Sequence, residues 1–563
     1  LEQKICGSTS TAGVTATIGT DVGILEEDLV ESRFIVIWGA NPVVANPHTW
    51  ALAEEARTQG ARIVVIDPLR SATAERADMH LRPIPGTDAA LALGMMHVIV
   101  RDGLVDEDYV SRYTVGFDRL EERLAEYPPA RAADITGIEE ATIVELARSY
   151  ARARPSTIRL QIAMEKHGNG AMMFRTISCL PALTGAWRDR GGGLLLFSSA
   201  LYDKALNFEA AIMPQLEDGS VRSVNMAQLG TALGGLTSTG EALDPPIRAL
   251  IVFNANPAVI APDQNRVFAG LRREDLLTVV LDHFVTDTAR FADYVLPATT
   301  QAEHLDMVVP WGSAFLALNQ PAVEPQGEAL PNTEIFRRLA RRLGFDEQYL
   351  YDSDETLIRA ALDSDQPYLE GITWERLQRD GWARLNLPEP WLPFAKGGFP
   401  TPSGKCELYS ETLAEQGFDP LPTHATPDTG SADAETKFPL TFMSPKSQRY
   451  FLNSSHANQK RHLRAAGAPS LQIHPDDALR REIKDGDRVR IFNGHGSIEI
   501  AAKVTDATIP HMVTMSHGWW PSLVAGGSTA NALTSGDLSD LGGGSAMYDT
   551  RVEVEKIKLG FES

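Results

Sequence analysis

The chain has 563 residues, of which 43% are hydrophobic and 22% are charged, and its formal net charge is −22 at pH 7. These proportions are typical of a globular protein, and the length is enough for three or four domains. The acidic excess argues against a nucleic-acid-binding surface, because such a surface needs a basic face to release counterions. The sequence has no run of 18 apolar residues, so it predicts no membrane span.

Strand–loop–helix units repeat through the first part of the sequence. The pattern predicts strands over 33–39, 62–68 and 81–84, and helices over 48–59 and 89–100. Units repeated at this spacing favour a parallel, doubly wound sheet. In such sheets, ligands bind beyond the carboxyl ends of the strands.

The same pattern returns later in the chain. Strands are predicted over 249–254 and 277–282, and each again ends in polar residues. Asn41-Pro42 and Asn256-Pro257 resemble equivalent turns in two related α/β halves. Two similar halves suit a ligand with pseudo-twofold character, or two copies of one ligand.

The rest of the sequence changes character twice. Proline, aromatic and acidic residues predict an irregular bridging segment, and the short strands that follow it are typical of a β-barrel. We therefore predict an α/β fold with two related doubly wound domains and a C-terminal β-barrel. The predicted domains are 1–155, 156–345, the bridging segment 346–437, and the barrel 438–563.

Cys6 is the most informative of the three cysteines. The other two, Cys179 and Cys406, lie far away in the sequence, which excludes a disulfide framework, and no Cys-x-x-Cys pair is present. A lone cysteine is usually a buried apolar residue. Cys6, however, lies in a loop rich in glycine, serine and threonine, and this neighbourhood favours a metal ligand.

The loop around Cys6 resembles the metal-ligand loop of the dimethyl sulfoxide reductase superfamily, the bis-molybdopterin guanine dinucleotide enzymes. Members with a cysteine ligand read Cys-x-x-x-x-x-Ala-Gly, and Cys6 to Ala12-Gly13 has this spacing. The resemblance covers essentially the whole chain. It implies that Cys6 binds molybdenum or tungsten, for which a thiolate is a suitably soft ligand.

Motifs in the two α/β halves resemble the segments with which this family holds its two dinucleotides. The most specific string runs from Asp282 to Ala289 and continues from Ala292 to Pro297. The Trp-Gly-x-Asn turn of the first half would bring backbone amides to a pyrophosphate. The aspartate of its Gly-Thr-Asp string would read a guanine edge. The implied cofactor contacts are Trp38, Gly39, Asn41, Pro42, Asp67, Pro68, Arg70, Gly86, Thr87 and Asp88, and, for the second dinucleotide, Met164, Asn254, Asn256, Asp282, His283 and Thr286.

Segments of the predicted barrel resemble those that cover both pterins in the family. Trp519 and the neighbouring Trp520 could stack on a flat ring system, or they could belong to the barrel core. The implied contacts are Ser444, Pro445, Lys446, Ser447, Asn453, His456, Trp519 and Asn531.

Three consecutive polar residues are the candidates for catalysis. Glu165, Lys166 and His167 lie in a string that resembles the family's loop near the metal. A carboxylate or an imidazole near the metal can transfer protons. An ordinary hydrogen-bonded role in the loop is the alternative for each of them.

The sequence also departs from the family in three places. Gly7 follows Cys6 where formate dehydrogenases have a histidine, and residues 194–203 lack their Arg-Gly-Gln-Asn-Asn-Val-Gln-Gly stretch, so formate oxidation is disfavoured. The family also opens with a small iron–sulfur domain, which this chain lacks. We expect an incomplete chain whose [4Fe-4S] cluster belongs to a missing N-terminal segment.

The resemblance implies a molybdenum or tungsten oxidoreductase with two molybdopterin guanine dinucleotides. The expected reaction is a two-electron oxygen-atom or hydride transfer on a small-molecule substrate, with a partner protein or subunit for the electrons. Two alternatives remain open, a non-redox tungsten hydratase on the same fold and a metal-free structural or nucleotide-binding subunit. The compartment also stays open, with the cytoplasm favoured over the periplasm.

Overall fold

The computed structural model describes residues 1, 5–212, 219–426, 436–447, 450–451 and 453–558. Within these residues the chain forms a five-stranded and a three-stranded parallel sheet, a three-stranded antiparallel sheet, a two-stranded parallel pair and a closed β-barrel. The predicted fold class, α/β with a C-terminal β-barrel, is confirmed.

A parallel sheet is the centre of the N-terminal region. The strands of this region are β1 (Phe34–Trp38), β2 (Arg62–Ile66), β3 (Met79–Leu81), β4 (Thr114–Val115), β5 (Ser156–Leu160) and β6 (Gly193–Leu195). The sheet order is β3-β2-β1-β5-β6. β1 and β5 are buried along their whole length, as expected for a parallel sheet covered on both faces. The predicted boundary between the first two domains follows residue 155, but this sheet contains strands from both sides of that residue. The position of the boundary stays a prediction.

Helices cover both faces of this first sheet. They are α1 (Ser8–Ile18), α2 (Pro42–Ala45), α3 (Pro47–Thr58), α4 (Asp88–Arg101), α5 (Glu107–Tyr113), α6 (Phe117–Leu124), α7 (Pro129–Thr136), α8 (Glu140–Arg152), α9 (Gly170–Ser178) and α10 (Leu180–Leu183). The helices predicted over 48–59 and 89–100 are present as α3 and α4. Nearly all of α4 is buried, because it packs against α7, α8 and α9.

A second, smaller parallel sheet follows in the chain. Its strands, in the order β7-β8-β9, are β7 (Ala249–Phe253), β8 (Leu277–Asp282) and β9 (Tyr294–Pro297). The helices of this part are α11 (Ala200–Ala205), α12 (Phe208–Ile212), α13 (Leu229–Leu233), α14 (Pro257–Ile260) and α15 (Gln264–Leu271). One face of the sheet is buried, whereas Ile251, Phe253 and Tyr294 on the other face are 46%, 47% and 63% exposed.

The two parallel sheets are copies of one internal repeat. A constant offset in residue number aligns 33–83 with 248–298 without gaps, so that β1 corresponds to β7, β2 to β8 and β3 to β9. The repeat includes a polar turn. The side-chain oxygens of Asn41 and Asn256 each accept hydrogen bonds from the backbone N–H and the hydroxyl of a threonine 32 residues later. The structure therefore shows the two turns to be equivalent.

Within the predicted bridging segment 346–437, the described residues 346–426 are more regular than predicted. The middle of the chain contains β10 (Asp306–Val308), β11 (Phe315–Asn319), β12 (Trp382–Arg384) and β13 (Cys406–Glu407), with α16 (Asn332–Leu343), α17 (Asp354–Leu362), α18 (Trp374–Asp380) and α19 (Glu411–Glu415). The hydroxyls of Ser353 and Thr373 accept hydrogen bonds from the first turns of α17 and α18. These caps allow short helices to form in a segment whose composition suggests none.

The C-terminal region forms the predicted barrel. Its strands are β14 (Leu440–Met443), β15 (Ser470–Ile473), β16 (Arg488–Phe492), β17 (Ser497–Val504), β18 (Met512–Thr514) and β19 (Arg551–Lys556), closed in the order β14-β18-β15-β17-β16-β19. The helices α20 (Lys460–Ala466) and α21 (Pro475–Arg480) accompany them. Along the described residues, no helix is long and apolar enough to cross a membrane.

Candidate active site

Cys6 lies two residues before the start of α1 and is half-buried. The next residue, Gly7, has a φ of 89°, a left-handed conformation that favours glycine. Further along α1, a Cβ on Gly13 would lie only 2.2 Å from the carbonyl oxygen of Ala171 in α9. This close packing of α1 on α9 brings the residues that precede α9 next to the loop of Cys6.

Glu165 holds the Cys6 loop through its carboxylate. Its Oε1 and Oε2 accept hydrogen bonds from the Gly7 backbone N–H at 2.8 and 2.9 Å. Oε2 also accepts bonds from the N–H and the hydroxyl of Ser10, at 3.3 and 2.8 Å. A buried carboxylate at the start of α1 also interacts favourably with the positive end of the helix dipole.

Lys166 holds the other side of the same loop. Its ammonium donates a hydrogen bond to the carbonyl oxygen of Ile5 and lies 3.0 Å from Glu165 Oε1. The two buried side chains thus fix the backbone immediately before and immediately after Cys6. The sequence predicted these residues near the metal loop, and the structure brings them into contact with it.

His167 is paired with an aspartate from the other end of the chain. Its Nδ1 lies 2.6 Å from Asp549 Oδ1, and Asp549 Oδ2 accepts a hydrogen bond from the Gly168 N–H at 2.6 Å. The His167 ring also meets the Tyr548 ring edge-on, with 5.8 Å between centroids. A carboxylate bound to Nδ1 keeps the proton there and fixes the tautomer of the imidazole.

Polar groups of the first repeat meet at the carboxyl ends of β1 and β2. The Trp38 indole donates a hydrogen bond to Asp88 Oδ1 at 2.7 Å, and Asp67 Oδ1 accepts one from the Leu69 N–H at 2.9 Å. Gly39, directly after β1, has a φ of 60°. Met164 packs here, because a Cβ on Gly39 would lie 3.2 Å from its Cγ. Met164, predicted for the second dinucleotide, is therefore placed beside the first repeat.

The two aspartates at this edge have raised pKa values. Burial raises the pKa of Asp67 to about 7, although the hydrogen bond from Leu69 lowers it, and the nearby Asp88 raises it further. Burial likewise raises the pKa of Asp88, against the opposing effects of the Trp38 hydrogen bond and of His167. The interaction with His167 shows that this edge adjoins the residues around Cys6.

Other predicted residues of the first repeat connect it to neighbouring segments. Arg70 forms two hydrogen bonds with the Asp506 carboxylate on the barrel, at 3.0 and 2.7 Å. The carbonyl oxygen of Pro68 accepts a hydrogen bond from Arg82 Nε at 3.1 Å. Pro42 is the first residue of α2 and is buried. These contacts place the strand ends of the first repeat directly under the barrel.

Gly86 and Thr87 precede α4 and are both buried. The Gly86 carbonyl oxygen accepts a hydrogen bond from Asn169 Nδ2 at 2.9 Å, and the Thr87 hydroxyl donates to the Ile84 carbonyl oxygen at 2.6 Å. Asn169 lies two residues after His167. The Gly-Thr-Asp string is therefore connected to the polar residues near Cys6.

The predicted residues of the second repeat form a separate and more open edge. Asn254 is exposed and has a φ of 52°. Asp282 Oδ1 accepts a hydrogen bond from the Phe284 N–H at 3.1 Å, as Asp67 does from Leu69. His283 Nε2 lies 2.9 Å from the Thr299 carbonyl oxygen, and Thr286 is buried.

The barrel segment 444–447 faces the side of Lys166. The Ser444 carbonyl oxygen accepts hydrogen bonds from His517 Nδ1 at 2.7 Å and from the Tyr548 hydroxyl at 3.3 Å. Burial lowers the pKa of His517, and the charges of Lys166 and Lys446 lower it further. This ring is therefore neutral near pH 7, with its proton on Nδ1.

The rest of this segment lies beside the same histidine. Pro445 accepts a hydrogen bond at its carbonyl oxygen from the His517 N–H at 3.1 Å, and Ser447 is buried. Burial also lowers the pKa of the half-buried Lys446. The direction of this shift reflects the cost of burying an ammonium group without a counter-ion.

Four further predicted residues belong to the barrel region. Asn453 and His456 are exposed and have φ values of 54° and 66°. Trp519 is part of the barrel core, where it meets the Phe451 ring edge-on at 4.9 Å. Asn531 Nδ2 donates a hydrogen bond to a carbonyl oxygen of α14 at 2.9 Å. Trp519 thus packs within the barrel core, and its stacking on a pterin stays a prediction.

Two buried polar atoms fit a bound dinucleotide. Asn256 Nδ2 and Ser444 Oγ are among several buried side-chain atoms of the described residues that have no hydrogen-bond partner within the protein. A buried polar atom without a partner costs about 1–3 kcal/mol, so such atoms are favoured where a ligand supplies the partner. Both residues are among the predicted cofactor contacts, and the donor and acceptor chemistry fits phosphate, ribose and pterin groups.

The sequence did not point to the aspartates that the C-terminal segment contributes. Asp549 binds His167, and both oxygens of Asp540 accept hydrogen bonds from the first N–H groups of α9, at 2.8 and 3.0 Å. They lie in a stretch without a recognisable motif. The only available signal was the acidic character of residues 537–549 close to Asn531.

Family models match two parts of the chain. Residues 4–342 match the model of the molybdopterin oxidoreductase family, and residues 440–551 match that of the molydopterin dinucleotide binding domain. The first match covers more than half of the chain, so the protein belongs to the molybdopterin oxidoreductase family. It is an oxidoreductase enzyme that uses a molybdopterin cofactor with its metal.

Similar proteins cover nearly the whole chain. The "Probable oxidoreductase YoaE" of Bacillus subtilis (strain 168) is 41% identical over 99% of this chain and 79% of its own length. "Dimethyl sulfoxide reductase DmsA" of Escherichia coli (strain K12) is 29% identical over 94% and 72%. "Acetylene hydratase" of Syntrophotalea acetylenica is 29% identical over 84% and 69%.

A solved structure supports the fold. The acetylene hydratase from Pelobacter acetylenicus superposes with a TM-score of 0.79, over 98% of this chain and 81% of that one. Its identity to this chain is 23%, so the likeness concerns the architecture alone.

Proposed function

We propose that this enzyme catalyses a two-electron oxygen-atom or hydride transfer on a small molecule, at a molybdenum or tungsten atom bound by Cys6. The observation that carries the proposal is the loop of Cys6, whose backbone is fixed on both sides of the cysteine by buried Glu165 and Lys166. A thiolate held in this way is a pre-organised soft ligand. When bound, the metal–pterin group supplies the two-electron chemistry.

Two molybdopterin guanine dinucleotides are proposed because the polar turn occurs twice. Each repeat carries an Asn-Pro turn after its first strand and an aspartate after its second, with matching hydrogen bonds. One dinucleotide would use the strand ends around Asp67 and Asp88, and the other those around Asn256 and Asp282. The segment 444–447 would cover the pterins from the barrel side.

Glu165 and Lys166 are proposed to position the metal ligand. The Glu165 oxygens accept hydrogen bonds from the Cys6 loop and from Lys166, so a Glu165→Gln substitution would replace one acceptor oxygen by a donor facing other donors. We expect the Glu165→Gln enzyme to retain less metal, measured by plasma mass spectrometry. Unchanged metal content would contradict the positioning role.

His167 is proposed to hold and move the proton of the reaction. With Nδ1 bound to Asp549, its Nε2 is the atom that can accept a proton. Asp549→Asn would remove the charge that favours this arrangement and preserve the size of the side chain. We expect normal metal content, a lower kcat and a changed pH profile of kcat. A loss of metal in this variant would instead indicate a structural role.

The electrons of the proposed reaction need a carrier. We propose a partner protein or subunit, or a [4Fe-4S] cluster outside these 563 residues. A non-redox hydratase on tungsten is the second candidate, favoured by the likeness to acetylene hydratase of Syntrophotalea acetylenica. Turnover with artificial electron donors and acceptors distinguishes the two, because a hydratase converts its substrate without electron flow.

The metal site itself is tested by cofactor analysis of the purified enzyme. We expect about one equivalent of molybdenum plus tungsten, and about two of guanine nucleotide after acid hydrolysis. A Cys6→Ala substitution is expected to abolish activity and lower the metal content. Cys179→Ala is the matched control, because Cys179 is a fully buried cysteine in α9–α10 with its thiol bonded to a carbonyl oxygen. Full activity of the Cys6→Ala enzyme would refute the proposal.

A further inference from the structure

An aromatic side chain lies against the residue next to Cys6. Phe197 follows β6, at the carboxyl edge of the first sheet, and is only 4% exposed. A Cβ on Gly7 would lie 3.6 Å from Cε2 of its ring. The ring therefore lies beside Gly7, where it borders the space that a side chain at this position would occupy.

A second aromatic ring continues from Phe197 to the surface. Trp311 lies with its ring centroid 4.8 Å from that of Phe197, at an interplanar angle of 46°, and is 56% exposed. The Gly312 N–H donates a hydrogen bond to the Phe197 carbonyl oxygen at 2.7 Å, which joins the two loops. The two packed rings, which we call the aromatic track, thus extend from the exposed Trp311 to the residue next to Cys6.

The loop that carries Phe197 is held in an unfavourable conformation. Ser198 is fully buried with a φ of 56°, which a residue with a side chain adopts at a cost. The Asp21 carboxylate accepts hydrogen bonds from the Ser199 and Ala200 N–H groups at 3.0 and 2.9 Å. Strain retained by surrounding contacts is common at functional sites.

The charged and titratable side chains around the Cys6 loop lie on other segments of the chain than the two aromatic rings. Glu165 and Lys166 are bonded to the loop backbone and to each other, and His517 is neutral on the barrel side. Lys446 faces His517, in the segment proposed to cover the pterins. A small anion that passed the two rings would lose water without gaining a counter-ion from them.

We propose that Phe197 and Trp311 determine specificity, and that they select an uncharged substrate with an apolar or aromatic substituent beside its reacting group. This inference deepens the proposed function, since it rests on Cys6 as the metal ligand. A substituent placed on the track gains contact with two rings, whereas a methyl group reaches less of them. One well-placed aromatic contact corresponds to about a tenfold change in affinity.

The test compares two unreactive ligands that differ only in one substituent. Methyl phenyl sulfone and dimethyl sulfone are titrated into the oxidised holoenzyme by isothermal calorimetry. We expect the phenyl compound to bind at least about tenfold more tightly, and Trp311→Ala to remove most of that preference. Phe197→Leu, which preserves apolar volume in this buried position, is expected to remove part of it.

Trp382→Ala is the matched control. Trp382 is also 56% exposed and also meets a phenylalanine ring, that of Phe315, at 5.4 Å, but lies on β12 in the middle of the chain. Its substitution should leave the preference unchanged. Equal affinities for the two sulfones, no measurable binding of either, or the same loss in both tryptophan variants would each overturn the inference.

Turnover separates this inference from the proposed reaction. The same enzymes are assayed with methyl phenyl sulfoxide and dimethyl sulfoxide, with reduced viologen as the electron donor. A Trp311-dependent preference in binding without any viologen oxidation would support the aromatic track and count against the proposed oxygen-atom transfer. Reduction of both sulfoxides with equal kcat/KM, unaffected by Trp311→Ala, would overturn the track and support the reaction.

Discussion

The two repeats share a backbone design but differ in what surrounds them. In the first repeat, β1 is buried along its whole length, whereas the matching face of β7 is open to solvent. The difference arises after the third strand. The chain that follows β3 forms the apolar helix α4, and the chain that follows β9 enters the short strands β10 and β11 instead. The repeated sequence therefore determines the polar turns. The segments that follow the third strands determine whether the sheet is buried on both faces.

The largest expected effect comes from matching substitutions in the two first strands. Val36 is fully buried, and Ile251 at the equivalent position is 46% exposed. Val36→Asp should cost about 3–5 kcal/mol of stability because it buries a charge without a partner. Ile251→Asp should cost about 1 kcal/mol or less. Thermal unfolding of both variants measures the difference, and equal losses would mean that the second face is covered in solution.

The next effect concerns the two asparagines of the repeated turn. Asn256 is buried, and Asn41 is half-buried. Replacing either by alanine leaves a threonine N–H and hydroxyl without their acceptor, which costs about 1–3 kcal/mol at a buried site and less at a wetter one. We therefore expect a larger loss of stability for Asn256→Ala than for Asn41→Ala. A larger loss for Asn41→Ala would contradict the burial difference between the turns.

The next prediction concerns how stability depends on pH at the two aspartates that follow the second strands. Because the pKa of Asp67 is raised to about 7, the folded protein holds a proton there that the unfolded chain loses near pH 4. Its contribution to stability therefore falls as the pH rises from about 4 to 7. In protein prepared without cofactor, Asp67→Asn should raise the unfolding midpoint by a few °C at pH 8, and by about nothing at pH 4.

Asp282→Asn provides the comparison for that measurement in the second repeat. Burial raises the pKa of Asp282 as well, against hydrogen bonds from the Phe284 and His283 N–H groups and the charge of His283. The same sign is therefore expected, at a more exposed edge of the sheet. An Asp67→Asn effect that is independent of pH would show that the carboxyl group is not protonated in the folded protein.

The smallest effect is expected from the link between the first repeat and the barrel. Arg70 and Asp506 form a two-point ion pair on the surface, with side chains that are 42% and 64% exposed, and the equivalent position in the second repeat is Val285. Arg70→Ala should lower the unfolding midpoint by less than about 2 °C. A double substitution with Asp506→Ala should add little, and a large coupling between the two would contradict this view.

Local patterns predicted most of the regular elements. The strands around Val36 and Val64 follow hydrophobic runs between turn residues, and the structure confirms them. The order of the motifs also indicated that Glu165 and Lys166 lie near the loop of Cys6. Each of these features is determined by residues that are close together in the sequence, so a short stretch is enough to predict it.

Long-range surroundings could not be read from the sequence. Ile251 and Val36 occupy equally apolar strands, so their sequences do not reveal that only one is enclosed. Asp549 reaches His167 across 382 residues, and no periodicity records such a contact. The same holds for Phe197 and Trp311, which meet only because two loops are joined through Gly312.

The pairing of His167 with Asp549 also has a consequence for biosynthesis. The loop after Lys166 depends on hydrogen bonds to Asp540 and Asp549, which the ribosome adds more than 360 residues later. A growing chain therefore cannot complete the surroundings of Cys6 until its barrel has almost been made. A chain interrupted before Asp540 would therefore lack the hydrogen bonds that hold His167, Gly168 and the start of α9.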